Sequence, residues 1–467
     1  MSQSSQNTPL QCVSPIDGSV YAQRPLSSEL DVEQSIALSR SAQRQWQATS
    51  LAQRAEICET AVQYFESNRE LIAEEICWQM GRPLGYCAGE IGGLAERARH
   101  MIAIAEHSLA DEVPPGRDGF TRFIRREPLG IVFTVAPWNY PLLTTVNSVI
   151  PALMAGNSVL LKPSAQTPLC GEHFVKAFQA AGLPDGVLQC LYLSHENTAK
   201  IISSSAVDFV CFTGSVTAGQ HIEQAAAGTF TGLGLELGGK DPAYVLADAD
   251  LEYSVAQLVD GAFFNSGQSC CGIERIYVAE SNYSKFVEAY IEQVKDYQLG
   301  NPLLAKTTLG PVVRTAAADW VRQQIDQASS MGAKKCIDAS LFESNKEGTP
   351  YLAPQVLIDV NHDMSVMKEE SFGPVVGIMP VANDEDAIQL MNDSDLGLTA
   401  SLWTQDQTRA ESLGNRLQTG TVFMNRCDYL DPALAWTGVK NTGRGVTLSS
   451  LGYLQLTRAK SFHLKSS

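Results

Sequence analysis

Apolar and polar positions change period along the chain, and the changes mark its organisation. From 29 to 110 apolar residues recur at helical spacing, broken only near Gly81, Pro83, Gly85 and the patch from Gly89 to Gly93. The segment 119–127, Gly-Phe-Thr-Arg-Phe-Ile-Arg-Arg-Glu, alternates as a strand on an exposed hairpin does. Between Pro128 and Leu161 there is no charged residue. A run of that length invites a membrane-spanning reading, but Pro137, Asn139, Pro141, Asn147, Pro151, Gly156 and Asn157 punctuate it. It reads instead as a strand (130–136), a turn, a helix (141–155) and a strand (157–162), apolar because both faces are covered. Alternation then continues: helix 167–181, strand 187–191, helix 196–203, strand 207–212, helix 216–227 and strand 231–236. After Gly239 a second α/β portion begins with strand 242–246, helix 250–264, strand 274–279 and helix 281–295. The tail from Leu454 to Leu464 has strand-like stretches. The order predicts a doubly wound parallel sheet of the dinucleotide-binding kind, followed by a second α/β portion.

Composition narrows the possibilities. The chain has 467 residues, of which 44% are hydrophobic, enough for two or three domains with a large core. Its net charge of −17 disfavours nucleic acid and anionic membrane surfaces as partners. The 11 cysteines follow no framework, which points to a reducing, cytoplasmic compartment. There is no Cys-x-x-Cys pair, and the adjacent Cys270-Cys271 is poorly arranged for a shared ion, so no metal is expected. The polar start, Met1 to Asn7, lacks the basic and apolar regions of a signal peptide.

Three segments carry candidate chemistry. Phe263-Phe264-Asn265-Ser266-Gly267-Gln268-Ser269-Cys270-Cys271 is an apolar run that breaks at a small turn and ends on a thiol. Leu235-Glu236-Leu237-Gly238-Gly239-Lys240 offers one carboxylate in an apolar, glycine-flanked setting. Pro137-Trp138-Asn139-Tyr140-Pro141 holds an amide in a stiff turn. A thiolate that attacks a carbonyl, an amide that stabilises the oxyanion and a carboxylate that activates water are the parts of a thioester mechanism. Alone, each has a plainer reading: an inert buried thiol, a loop carboxylate, turn chemistry. Phe209 to Gly219 reads as a buried strand entering a helix through Gly214 and Ser215, with Gly219 one turn on. Backbone N–H groups there can hold pyrophosphate. Gly232 to Gly238 misses the dinucleotide fingerprint by one residue and is not read as a phosphate loop. Lys162 ends a predicted strand, where ligands gather in open α/β sheets.

Together these segments resemble the aldehyde dehydrogenase superfamily, in its semialdehyde-dehydrogenase-like branch, over about residues 10 to 465. The resemblance implies that fold: a cofactor domain (1–110 and 129–238), a catalytic domain (239–445) and a small β oligomerisation element (111–128 and 446–467) in a homodimer or homotetramer. It implies catalytic roles for Cys270, Glu236 and Asn139 in oxidising a small-molecule aldehyde with NAD or NADP. It assigns Trp138 to the cofactor, Lys162 to the adenosine ribose, Glu370 to the nicotinamide ribose and Phe372 to a place near the ring. NAD-preferring members often carry a Glu three residues after that Lys. Here Ala165 stands there, beside Ser164, so NADP is expected to be accepted, with dual specificity.

Other departures bear on protons and substrate. A Glu that the family often has near its C-terminus is absent from Thr442 to Leu448, and its Lys partner is replaced by Ser148. Glu236 is then the main base, with water carrying protons. The two arginines typical of succinic semialdehyde members are replaced by Phe264 and Asn147. Arg426 is a candidate cation, with a structural loop role as its plainer reading. Tyr140, Ser269, Cys271, Asp428 and Leu430 are the other expected substrate-tunnel residues. Two alternatives remain at this level: a CoA-acylating or acyl-phosphate-linked member, which needs no water-activating Glu, and a non-catalytic derivative of the fold.

Overall fold

The computed structural model describes residues 9–466; Met1–Asn7, where no signal peptide is expected, lies outside them. Four helices, Glu29–Trp46, Leu51–Ser67, Arg69–Met80 and Leu84–Ser108, precede the first long sheet. Ser28 and Ser50 start the first two with reciprocal side-chain caps, which satisfy backbone donors that a helix leaves free. The glycines expected to interrupt the fourth do not. Leu84–Ser108 runs unbroken for 25 residues through Gly85, Gly89, Gly92 and Gly93. The reason is tertiary: a Cβ on Gly93 would lie 2.6 Å from Leu143 Cδ2, so the missing side chain lets helix Pro141–Met154 lie against this one. Packing of that kind outweighs glycine's helix penalty of about 1 kcal/mol.

The first large sheet has six strands, in the order Gly443–Arg444, Gly232–Glu236, Phe209–Thr213, Ile131–Val135, Ser158–Lys162 and Leu188–Cys190. The last five are parallel, and Gly443–Arg444 joins antiparallel to Leu235 and Glu236. Ile131–Val135 and Ser158–Lys162 are buried throughout, as expected for strands covered on both faces. Two of the near-fingerprint glycines, Gly232 and Gly234, fall in strand Gly232–Glu236, where Gly232 leaves space for the Phe209 ring; Gly238 lies beyond its end.

The second sheet has seven strands: Lys334–Lys335, Gln355–Ile358, Val375–Val381, Ile273–Ala279, Asp241–Val245, Thr399–Trp403 and Thr421–Met424. All are parallel except the short first one. Separately, Phe120–Pro128 pairs antiparallel with Thr457–Lys465 over nine residues, with Phe123 stacked on Phe462 at 4.4 Å. No helix among the described residues is long and apolar enough to cross a membrane.

Candidate active site

The thiol segment is positioned by a strained turn. After helix Leu251–Phe263 the chain passes through Asn265 (φ 53°), Ser266 (φ 56°) and Gly267 (φ 71°). Left-handed backbone at two non-glycine residues is costly and persists only where surroundings enforce it. Here they do. Arg82 Nε donates to Asn265 Oδ1 at 3.0 Å, Ser266 Oγ donates to the Gly310 carbonyl at 2.8 Å, and Val313 N–H donates to Gln268 Oε1 at 2.7 Å. Gly267 has no alternative, because a Cβ would lie 2.3 Å from the Gly373 carbonyl oxygen.

The turn ends on two unlike thiols. Cys270 is partly exposed to a cavity; Cys271 is buried. Cys271 Sγ donates to Asp428 Oδ1 at 3.0 Å, and Ser269 Oγ donates to the same oxygen at 2.6 Å. The neighbouring Cys270 thiol, then burial and the Asp428 charge, push the Cys271 thiol well above its ordinary range. Asp428 is itself pushed up by burial.

Asn139 is 5% exposed and reaches the same turn, its Nδ2 donating to the Gln268 carbonyl at 3.2 Å. Its own carbonyl accepts from Arg82 Nη2 and from Asn265 Nδ2. Arg82 is fully buried, pairs with Glu90 at 2.5 Å and stacks its guanidinium over the Tyr140 ring at 4.5 Å. The other Glu90 oxygen accepts from the Leu142 and Leu143 N–H groups, at 2.7 and 3.2 Å, which caps helix Pro141–Met154. One buried ion pair thus joins the amide turn, the thiol turn and a helix start.

Glu236 closes its strand with both oxygens occupied. Oε1 accepts from Thr447 Oγ1 at 2.5 Å and Oε2 from Thr213 Oγ1 at 3.1 Å. Desolvation raises its pKa, while the two hydroxyls and Arg97 oppose the rise. Glu236 borders two spaces. One is the cavity of about 350 Å³ that Cys270 faces. The other is a chamber of about 20 Å³ behind it, lined by Thr144, Asn147, Ser148, Thr213, Thr447 and Gln455 among others, which is room for one water. Ser148 hydrogen-bonds Thr134 Oγ1 at 3.0 Å and the Thr145 carbonyl at 3.1 Å. Gly445 has φ +93°, and a Cβ there would lie 2.4 Å from Gln455 Oε1.

The expected cofactor residues gather at the ends of the first sheet's strands and on the facing loop. Lys162 is 8% exposed, its Nζ hydrogen-bonds only the Pro163 carbonyl, at 3.4 Å, among the described residues, and burial lowers its pKa. A buried ammonium with so little to bind suits a hydroxyl-rich or phosphate-bearing ligand. Ser164 is half-buried and Ala165 exposed beside it. Ser215 caps helix Val216–Ala226 by accepting from Ala218 N. The glycines there serve packing: a Cβ on Gly214 would strike the Phe212 ring, and one on Gly219 would strike Leu237. Glu370 accepts from Gly239 N–H at 3.0 Å, and its pKa is pushed up to about 8 by desolvation and then by Glu274. Phe372 meets the Trp138 ring edge-on at 5.6 Å. Beneath them the buried pair Lys240–Glu274 holds the turn, since Glu274 accepts from the Ser371 and Phe372 N–H groups.

Tyr140, Asn147, Ser269, Cys271, Asp428 and Leu430 all line the 350 Å³ cavity; Arg426 does not. It is exposed and packs its guanidinium over Tyr429 at 3.5 Å. Gly89 and Gly93 form part of the wall, so the glycine patch makes room as well as helix contact. Sequence reading missed Arg82, Glu90, Arg97, Thr213 and Thr447. A signal existed for two of them. Glu90 and Arg97 lie seven residues apart on the face that carries Ile91, Leu94 and Met101, where charge is unexpected.

Comparison with known proteins identifies the family. The model of the aldehyde dehydrogenase family matches residues 1–462. An aldehyde dehydrogenase of Paenarthrobacter nicotinovorans is 34% identical, covering 92% of this chain and 94% of its own. Succinate semialdehyde dehydrogenase Sad of Escherichia coli, named as NAD(P)+-dependent, is 31% identical over 94% of each. The structure of NADP-dependent glyceraldehyde-3-phosphate dehydrogenase from Bacillus halodurans, complexed with NADP, superposes with a TM-score of 0.92 at 32% identity, covering 100% of this chain and 97% of that one. The resemblance and the fold class expected from the sequence are borne out: this chain belongs to the aldehyde dehydrogenase family.

Proposed function

We propose that this protein oxidises an aldehyde to its carboxylic acid with NAD(P)+, through a thioester on Cys270 that Glu236 hydrolyses. The observation that carries the proposal is convergence: Cys270 and Glu236 line one cavity, and Asn139 is tied to the thiol turn. The Cys270 thiolate attacks the carbonyl carbon, and the new C–S bond leaves a negative oxygen. Asn139 Nδ2 and the Cys270 N–H hold that oxygen, each such donor being worth about 10²–10³ in rate. Cys271 stays protonated beside Asp428 and takes no part as nucleophile.

When bound, a nicotinamide dinucleotide accepts the hydride that leaves the former aldehyde carbon. Lys162 would hold its adenosine ribose or a 2′-phosphate, the start of helix Val216–Ala226 its pyrophosphate, and Glu370 the second ribose, with Trp138 and Phe372 beside the ring. Without a carboxylate at Ala165 to repel a 2′-phosphate, NADP is accepted. Glu236 then removes a proton from water, and the hydroxide attacks the thioester carbon, releasing acid and thiol. Thr447 and Thr213 hold Glu236 for this step, and the chamber behind it holds water for proton exchange. A water-activating carboxylate is what a CoA-acylating enzyme does not need.

The two sheets are read as a cofactor and a catalytic domain, and the ribbon formed by Phe120–Pro128 and Thr457–Lys465 as the assembly element of a dimer or tetramer. Glu112 bridges the outer edge of Phe120–Pro128 at Ile124, whereas the outer edge of Thr457–Lys465 pairs with no strand among the described residues, and an edge of that kind favours pairing with another copy. The test is to supply propanal, hexanal, 4-oxobutanoate or 4-aminobutanal with NAD or NADP, with and without CoA, and follow reduced nicotinamide. Cys270→Ala should abolish turnover and Cys271→Ala retain it; the reverse pattern defeats the assignment. Glu236→Gln should release about one equivalent of reduced cofactor per site and then stall. Steady turnover without that burst removes Glu236 from hydrolysis.

A further inference from the structure

Among the described residues, one cation of the cavity wall has no carboxylate partner. Arg97, on helix Leu84–Ser108, is 8% exposed and takes part in no ion pair within 4.0 Å. Its Nη1 donates to the Leu143 carbonyl at 2.8 Å and to Asn147 Oδ1 at 3.4 Å. Its Nε and Nη2 have no hydrogen-bond partner among the described residues. The other arginine of the wall, Arg82, is matched by Glu90. Asn147 is 2% exposed, lines the same cavity, and its Nδ2 is also without a partner. The contact with Arg97 orients the amide, because only the oxygen can accept from a guanidinium. A buried amide N–H with nothing to bind, beside a mostly buried guanidinium with two nitrogens unused, is costly to keep unless a ligand completes it.

The surrounding carboxylates do not fill that role. Glu236 is held by Thr447 and Thr213, Asp428 by Ser269 and Cys271, and Glu96 accepts from Tyr429 OH at 3.0 Å. Asp260 shares the lining but forms no ion pair with Arg97. We infer that Arg97 and Asn147 form a carboxylate seat: the preferred substrate is an aldehyde carrying a second, carboxylate end, which the guanidinium binds through its free edge while the aldehyde end meets Cys270. This rests on the oxidation proposed above. It puts the anion-binding arginine on the helix facing Asn147, not at 147, 264 or 426.

The test compares 4-oxobutanoate, pentanal and 4-aminobutanal as substrates of the intact enzyme. Wild type should favour 4-oxobutanoate over pentanal in kcat/KM. In Arg97→Met that ratio should fall by roughly a hundredfold or more, as for a truncated partner of a desolvated charge pair. The change should be carried mainly by KM, and Arg97→Lys should restore part of it. Asn147→Leu should lower the ratio by roughly tenfold. Succinate should compete with 4-oxobutanoate in wild type and lose that ability in Arg97→Met, a binding readout that needs only residual activity. Four outcomes would overturn the seat: wild type that prefers pentanal or 4-aminobutanal, a ratio unchanged within threefold in Arg97→Met, equal losses for both substrates, or unchanged succinate competition. No reduced cofactor from any aldehyde would instead defeat the oxidation reading itself.

Discussion

Around Cys270 the protein treats buried cations in two opposite ways. Beneath the thiol and the facing loop, Arg82 is locked to Glu90 and Lys240 to Glu274, and each pair also binds backbone groups of the turns above it. Arg97 and Lys162, each 8% exposed, have no carboxylate within 4.0 Å among the described residues. Burial lowers the pKa of both. Their positive charge is therefore held at some cost. The contrast teaches how to read buried charge here. A matched pair fixes backbone, whereas an unmatched cation leaves its hydrogen bonds for something that arrives.

The matched side can be broken first. Arg82→Met strands Glu90 and frees both turns, so it should destabilise the fold by about 3–5 kcal/mol and depress kcat as well. Chemical denaturation reads the first effect; a loss under 1 kcal/mol would mean the pair braces nothing. Asn139→Ala touches the same turn without unpairing a charge. It should lower kcat about 10²–10³-fold, roughly 3–4 kcal/mol, with stability and cofactor affinity little changed. A change below threefold would remove Asn139 from oxyanion binding.

Glu236 lies between the two cases, since its partners are hydroxyls. It must be ionised to act as base, and burial already places its pKa above the ordinary value. Thr447→Val removes a donor to the charged form, so the pKa should rise further. Activity near neutrality should fall about tenfold and recover as pH is raised, moving the acid limb of the kcat profile to higher pH. Thr447→Ser should keep the wild-type limb. An acid limb that does not move would show that the hydroxyl does not tune the base. The last effect is on cofactor choice, beside Lys162. Ala165→Glu puts a carboxylate beside Lys162 and should shift kcat/KM toward NAD over NADP by about tenfold; an unchanged ratio would place cofactor choice elsewhere.

How much of this was legible in the sequence follows from distance along the chain. Strand Phe209–Thr213, helix Pro141–Met154 and the alternation around them are written in local periodicity, and the structure has them within a residue or two of expectation. Cys270, Glu236 and Asn139 each sit in a contiguous, recognisable segment. Arg82 and Arg97 were not legible in that way. Arg82 acts on Asn265, 183 residues later, and Arg97 on Asn147, 50 residues later. Thr447 reaches Glu236 across 211 residues. The glycine patch misled for the same reason: Gly93 reads as a breaker until Leu143 is known to lie against it.

Gly445 has a consequence for what this wall can be redesigned to carry. Its backbone is left-handed, and a Cβ there would lie 2.4 Å from Gln455 Oε1, which accepts from Val446 N–H at 2.6 Å, and 3.0 Å from Gly234 Cα. An acidic residue placed at this point would be strained by the left-handed backbone and would have to displace the Gln455 amide. An engineered acidic residue at 445 would therefore work best together with a shorter residue at 455, and Gly445 and Gln455 are to be treated as one unit when this wall is redesigned.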